Sequence, residues 1–128
     1  EDGLESRDFV YIDDVVNSIC LSLFSDNANN KSYNVGTGKA TTVLEVAKIL
    51  QQCYSIDVPT TISGNYRLGD IRHNFADISK IKADLGWIPQ TNIKQGLRNF
   101  SNWVLSQNLP NLQYEKSLEE MKEKGMFK

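Results

Sequence analysis

The sequence predicts an α/β protein in which short strands alternate with helices. Three observations carry this. A β-branched and aromatic run at residues 9–12 leads straight into a helical pattern with apolar positions Val16, Ile19, Cys20 and Leu23. Thr42 and Glu45 have capping-box spacing at the start of a second helical pattern. Ile93, Leu97, Phe100 and Val104 then recur at helical intervals. The expected order is strand, helix, strand, helix, strand, helix, helix.

Taken in order, residues 9–12 read as a strand. Asp13 or Asp14 caps a helix running to about residue 24, and its apolar stripe is expected to be buried. Residues 25–31, rich in Asn, Asp and Ser, form a loop. Residues 32–35 make a short strand that ends at Gly36-Thr37-Gly38. The helix after Thr42 is expected to bury Val43, Val46, Ala47, Leu50 and Tyr54. Residues 58–62 read as a further short strand, with Pro59 marking an edge or a strand start. The polar stretch 63–73 is the candidate site loop. Phe75-Ala76-Asp77 leads into a helix over 79–85, stopped by Gly86 and Pro89. An amphipathic helix spans 93–105, ended by Pro110 and its Asn-rich flank. Residues 114–124 carry a weaker helical pattern with many charges and read as a surface helix.

Fourteen basic residues oppose sixteen acidic ones, for a net charge of −2. A nucleic-acid surface needs a basic excess, so the balance argues against one. It leaves room for a single nucleotide held by a few arginines. No run of 18 apolar residues is present, so no membrane span is expected. The acidic N-terminus has no apolar h-region, so no signal peptide is expected and the reading is cytoplasmic. Cys20 and Cys53 are expected to be buried free thiols. With His73 as the one histidine, no zinc-ligand spacing is found. Glu1-Asp2-Gly3 reads as a hairpin turn with residues 7–12 outgoing. Its incoming strand is missing, so the chain is expected to be the C-terminal piece of a longer protein.

Two strings hold the candidate chemistry: Arg7-Asp8-Phe9-Val10-Tyr11-Ile12-Asp13-Asp14 and Tyr66-Arg67-Leu68-Gly69-Asp70-Ile71-Arg72-His73. Guanidinium forks match two phosphate oxygens at once. A nearby carboxylate accepts hydrogen bonds from sugar hydroxyls. Together they suggest a pocket for a sugar attached to a nucleoside diphosphate. By residue type alone, Arg7 is also read as a solvated surface arginine, and Arg67, Asp70 and Arg72 as a solvated loop. A turn at residues 68–70 is expected to gather part of that cluster. Helix capping and the macrodipole explain Asp13 and Asp14 more simply than a metal does. His73 fits a structural hydrogen bond, and Trp87 and Trp103 fit packing. Gly36-Thr37-Gly38-Lys39 is not a P-loop, because position 33 is Tyr, nor a dinucleotide fingerprint, because position 41 is Thr. It reads as a strand-to-helix turn. No Tyr is followed four residues later by Lys, and no defensible catalytic constellation is found.

Four strings in register resemble segments of extended short-chain dehydrogenase/reductase enzymes that act on nucleotide sugars. They are Arg7 to Val15, then Tyr33-Asn34-Val35-Gly36-Thr37-Gly38. Next come Tyr66 to His73 with Ala76-Asp77-Ile78-Ser79-Lys80, and last Leu85-Gly86-Trp87-Ile88-Pro89 with Gly96-Leu97 and Trp103. Order and spacing match across residues 1–106. The chain therefore resembles the NAD-dependent epimerase/dehydratase family, nearest to sugar-nucleotide 4-epimerases.

The resemblance implies the C-terminal portion of a Rossmann-type α/β enzyme. Residues 1–106 would be its substrate-binding portion and 107–128 a tail. Arg7 and Arg67 would contact the diphosphate and Asp70 the ribose hydroxyls. NAD, its Gly-rich loop and a catalytic Ser/Thr and Tyr–Lys set would belong to an N-terminal half, so this segment would hold no catalytic residue and be inactive alone. The helix after Asp14, the strand at 33–35 and the helix near Gly96 would pack on the Rossmann sheet. Residues 39–89 would form most of the substrate lobe. The implied reaction removes hydride from C4, turns the 4-keto sugar and returns the hydride to the other face. Diphosphate contacts serve as its fixed pivot. A 4,6-dehydratase, a reductase and a non-catalytic nucleotide-sugar-binding or interaction domain remain open. Implied partners are a nucleoside-diphosphate sugar, the Rossmann half and a second copy in a homodimer.

Overall fold

The computed structural model describes residues 2–108 and 113–127. The N-terminal strand β1 (Ser6–Arg7) organises the polar half of the molecule. It pairs antiparallel with β2 (Thr41–Thr42), Ser6 opposite Thr42 and Arg7 opposite Thr41. On its other edge Ser6 forms a parallel bridge with His73. Ser6 N donates to Arg72 O at 3.1 Å, and Asn74 N donates to Ser6 O at 3.1 Å. The site loop is thereby stitched to the N-terminal strand across more than sixty residues of sequence.

Five helices follow the expected pattern closely. They are α1 (Ile12–Leu23), α2 (Val43–Tyr54), α3 (Ser79–Leu85), α4 (Ile93–Leu105) and α5 (Tyr114–Glu123). Thr42 caps α2 by accepting from Glu45 N at 3.2 Å, and Asn92 caps α4 by accepting from Gln95 N at 3.0 Å. Two further amide donors at the start of α2 find the carbonyls of the N-terminal segment: Val43 N to Glu5 O and Leu44 N to Gly3 O. Gly86 ends α3 in the left-handed conformation, as its position suggests. The Pro110 stop and Glu1 lie outside the described residues.

Three expected strands are not strands. Residues 9–12, 32–35 and 58–62 form no ladder with any described residue, and Ile12 already opens α1. An extended segment becomes a strand only when a second backbone takes its amides and carbonyls. Residues 58–62 instead lie against α2, where Gln51 Nε2 donates to Val58 O at 2.6 Å.

Asp14 does a different task from the expected cap. Tyr11 occupies the cap position of α1 without a side-chain bond. The Asp14 carboxylate is buried and accepts from Gln90 N and Thr91 N, both at 2.9 Å, so it ties α1 to the approach of α4. Asp14→Ala should lower stability by about 2 kcal/mol, because two part-buried amides lose a charged acceptor. A fall in the melting midpoint with unchanged helical circular dichroism at low temperature is the expected observation.

The apolar centre is small: Ile49, Ile81 and Trp87 are its buried members among the described residues, with α2 packed on α4. Of the side chains expected inside from α2, Val46, Ala47, Leu50 and Tyr54 are half-buried, while Val43 is exposed. The apolar stripe of α1 is not buried. Ile19 is 60% exposed, Leu23 75% and Phe24 85%, whereas its buried residues are Asp14 and Ser18. Likewise α4 buries Ser101 and leaves Phe100 and Trp103 outward, their rings 5.9 Å apart. Trp87 is a core residue as expected; Trp103 is not, at 58% exposed. Cys20 is an exposed free thiol and Cys53 a half-buried one, because Cys20 lies on the same outward stripe. The accessible surface is 9633 Å², against about 6,900 Å² for a compact monomer of this mass. Apolar faces on α1 and α4 contribute to that excess. No described helix is long and apolar enough to cross a membrane.

Candidate functional site

The loop from 61 to 75 is exposed throughout, so its shape rests on hydrogen bonds rather than on packing. Asp70 N donates to Arg67 O at 3.3 Å, and Gly69 takes φ +86, the geometry of a type II turn. The turn lays Asp70 against Arg67: Nε and one terminal nitrogen of Arg67 donate to Asp70 Oδ2 at 3.1 and 2.8 Å. The expected gathering of these two side chains is therefore present.

Arg7 is anchored by its own guanidinium. One terminal nitrogen donates to Ser6 O at 2.8 Å and to Arg72 O at 3.0 Å. The parallel pairing of β1 with residue 73 thus sets Arg7 beside Arg72, while Arg67 and Asp70 pair with each other at the turn and do not line the cleft around Arg7. Arg7, Asp8, Tyr33, Asn34, Asn74 and Phe75 line part of a polar cleft of about 470 Å³. Arg72 turns to the N-terminal carboxylates instead. It donates to Asp2 Oδ2 at 2.6 Å and stands 3.8 Å from the buried Glu5. The Arg72 hydrogen bond, helped by Leu4 N, holds the Asp2 carboxyl down at about 2. His73 takes the structural role expected of it, with Nδ1 2.9 Å from Ser6 Oγ.

Asp8 is the residue that sequence reasoning missed. Its carboxylate accepts four hydrogen bonds: Thr37 N at 2.7 Å, Thr37 Oγ1 at 2.6 Å, Gly38 N at 2.9 Å and Ala76 N at 3.2 Å. Burial pushes this carboxyl up, but the bonds from Thr37, Ala76 and Gly38 outweigh it and hold the group below its ordinary value. Gly36 makes the approach possible, since a Cβ there would sit 2.5 Å from Asp8 Oδ2 and 2.6 Å from the Ala76 Cβ. The Gly-Thr-Gly turn therefore presents its amides to a carboxylate within the chain, consistent with its reading as a structural turn. The available signal was a turn rich in free amides and, 29 positions earlier, a carboxylate with no obvious local partner.

A second carboxylate holds residues 31–33 onto α3. Asp84 accepts from Lys31 Nζ at 2.8 Å and from Tyr33 Oη at 3.0 Å. Lys31 first and Tyr33 second hold its carboxyl below the ordinary value, while burial and then Asp84 push the Tyr33 hydroxyl up. Lys80 Nζ donates to Ser32 O at 2.9 Å and lies 5.3 Å from the Tyr33 ring centre. This pins one wall of the Arg7 cleft. Among the described residues no cluster of three or more His, Cys, Asp or Glu side chains is placed to hold a metal ion.

Helices flanking short paired segments define a portion of a Rossmann-type short-chain dehydrogenase/reductase. The chain belongs to the family described as GDP-mannose 4,6 dehydratase, whose model matches residues 1–100, within the NAD-dependent epimerases and dehydratases. It is similar to a dTDP-L-rhamnose 4-epimerase of Burkholderia thailandensis, 36% identical over 104 residues, which cover 81% of this chain and 28% of that protein. It is also similar to a putative UDP-glucose 4-epimerase of Methanocaldococcus jannaschii, 34% identical over 107 residues, covering 84% and 33%. Among solved structures, the UDP-glucose 4-epimerase of Thermotoga maritima with UDP-glucose superposes with TM-score 0.73 at 33% identity, over 83% of this chain and 34% of that one. A UDP-N-acetylglucosamine 4-epimerase of Methanobrevibacter ruminantium, in complex with UDP-N-acetylmuramic acid, gives 0.74 at 31% identity, over 84% and 34%. The chain spans about a third of the length of these relatives.

Proposed function

We propose that residues 1–106 are the C-terminal, nucleotide-sugar-binding portion of an NAD-dependent sugar-nucleotide epimerase that works at C4 of the sugar. The observation that carries this reading is the pairing of β1 with residues 72–74, which sets the Arg7 guanidinium on the Arg72 carbonyl. In this reading Arg7 and Arg67 hold the diphosphate, and Asp70 accepts from the ribose hydroxyls while orienting Arg67. Arg7 is pre-set, because two backbone carbonyls fix its fork before any ligand arrives. Two cationic groups holding one diphosphate would make a pivot, leaving the sugar free to rotate beyond it.

The Gly-X-Gly turn at 36–38 does not offer its amides to a dinucleotide. The amides of Thr37 and Gly38 in that turn go to Asp8. In this reading the cofactor and the catalytic groups belong to an N-terminal half, and the outward apolar faces of α1 and α4 are covered by it. A specific observation also favours a second reading, 4,6-dehydration: the matching family model carries that description.

Isothermal titration of the full-length protein with UDP, dTDP and GDP tests the binding claim. Saturable binding of at least one is expected, and binding of none would end the reading. Nuclear magnetic resonance of the sugar nucleotide after incubation with NAD then separates the outcomes. A C4 epimer supports the epimerase, a 4-keto-6-deoxy product the dehydratase, and binding without turnover the non-catalytic domain.

A further inference from the structure

Residues 114–127 lie beyond the stretch matched by the family, yet they reach the proposed diphosphate loop. The reach depends on a reversal at the end of α5. Gly125 takes φ +65, Gly125 N donates to Lys122 O at 2.9 Å, and Met126 N donates to Met121 O at 2.9 Å. These are the two bonds of a Schellman motif, which turns a chain back along its helix. The returning chain then pairs antiparallel with the loop. Phe127 stands opposite Arg67, and Leu68 N donates to Met126 O at 3.1 Å. Lys122 Nζ lies 5.9 Å from the Phe127 ring centre.

Arg67 belongs to a stretch that is exposed from 61 to 75. Apart from its own turn, the backbone at 66–68 is held by the tail, through the bond from Leu68 N to Met126 O. A guanidinium on such a loop binds well only if its backbone is already ordered, because ordering on binding subtracts from affinity. We propose that segment 114–127 is a strap that positions the diphosphate loop, with Met126 and Phe127 acting as positioning residues through the backbone of Arg67 and Leu68. The strap holds the loop edge, and Asp70 holds the guanidinium. The inference rests on the reading of Arg67 as a diphosphate ligand.

Two variants of the full-length protein test it. One ends after Asn108. The other, Gly125→Val, keeps every residue of the strap but places a β-branched side chain at positive φ, where it is strained. Hydrogen exchange at the Leu68 amide should speed up about tenfold in both. Affinity for UDP, with dTDP and GDP run in parallel, should fall about fivefold. Combining Gly125→Val with Arg67→Ala should lose little beyond Arg67→Ala alone, whereas a merely structural defect would add to it. Unchanged Leu68 exchange would overturn the pairing. Faster exchange with unchanged affinity would overturn the positioning role, provided Arg67→Ala alone weakens binding. If Arg67→Ala leaves affinity unchanged in the intact protein, the site reading fails and the strap's role falls with it.

Discussion

Asp8→Ala is expected to lower stability by about 3 kcal/mol, since hydrogen bonds to a charged acceptor contribute roughly 1.5–3 kcal/mol each and four sharing one carboxylate do not add. The donors are Thr37 N, Thr37 Oγ1, Gly38 N and Ala76 N, drawn from two segments that Asn34 Nδ2, donating to Asp77 O at 3.3 Å, also links. Without the carboxylate, the partly buried amides lose their acceptor beside a glycine that leaves no room for a side chain. Asp8→Asn should recover only part of the loss, because an amide oxygen carries no charge and its nitrogen would face donors. Thermal melting followed by circular dichroism reads both. Acid should mimic the alanine variant. The Asp8 carboxyl is held below its ordinary value in the folded chain, so its contribution is complete above the ordinary carboxylate range. That contribution fades as pH falls through the lowered folded value. The wild-type melting midpoint should therefore fall more steeply in acid than that of Asp8→Asn, with the two converging at the lowest pH. Parallel curves would refute the role assigned to this carboxylate.

Arg67→Ala should weaken nucleoside-diphosphate binding by about 1.5–3 kcal/mol, roughly tenfold to more than a hundredfold, the loss of a charged hydrogen bond to phosphate. Stability should barely change. Arg67 and Asp70 form an exposed pair, and exposed pairs contribute little to folding. That split between affinity and stability distinguishes a ligand contact from a structural one. Arg67→Lys should restore only part of the affinity, because an ammonium lacks the planar fork. Calorimetry on the full-length protein with unchanged affinity for Arg67→Ala would reject the assignment. An equal loss of melting temperature and affinity would mark the residue as structural.

Local features were legible from the residues. The spans of α3 and α4, the Thr42 cap, the left-handed stop at Gly86 and the turn that joins Arg67 to Asp70 all depend on neighbours within a few positions. The stripe on α1 was legible as a stripe, but not its outward orientation, because periodicity defines a face without naming what covers it. Asp14 was read as a local cap for the same reason: its amide partners lie 76 and 77 residues away. Asp8 went unnoticed because Thr37 and Ala76 stand 29 and 68 positions along the chain.

By itself, then, the order of side chains determined where the backbone coils, where it turns, and to which family the chain belongs. Only the folded arrangement decided which carboxylates grip which amides, that residues 9–12 find no strand partner here, and that the tail crosses back to the arginine loop. The division has one physical origin. Helix and turn hydrogen bonds close over three or four residues, whereas ladders, carboxylate hubs and buried faces need a partner whose distance along the chain is unrestricted.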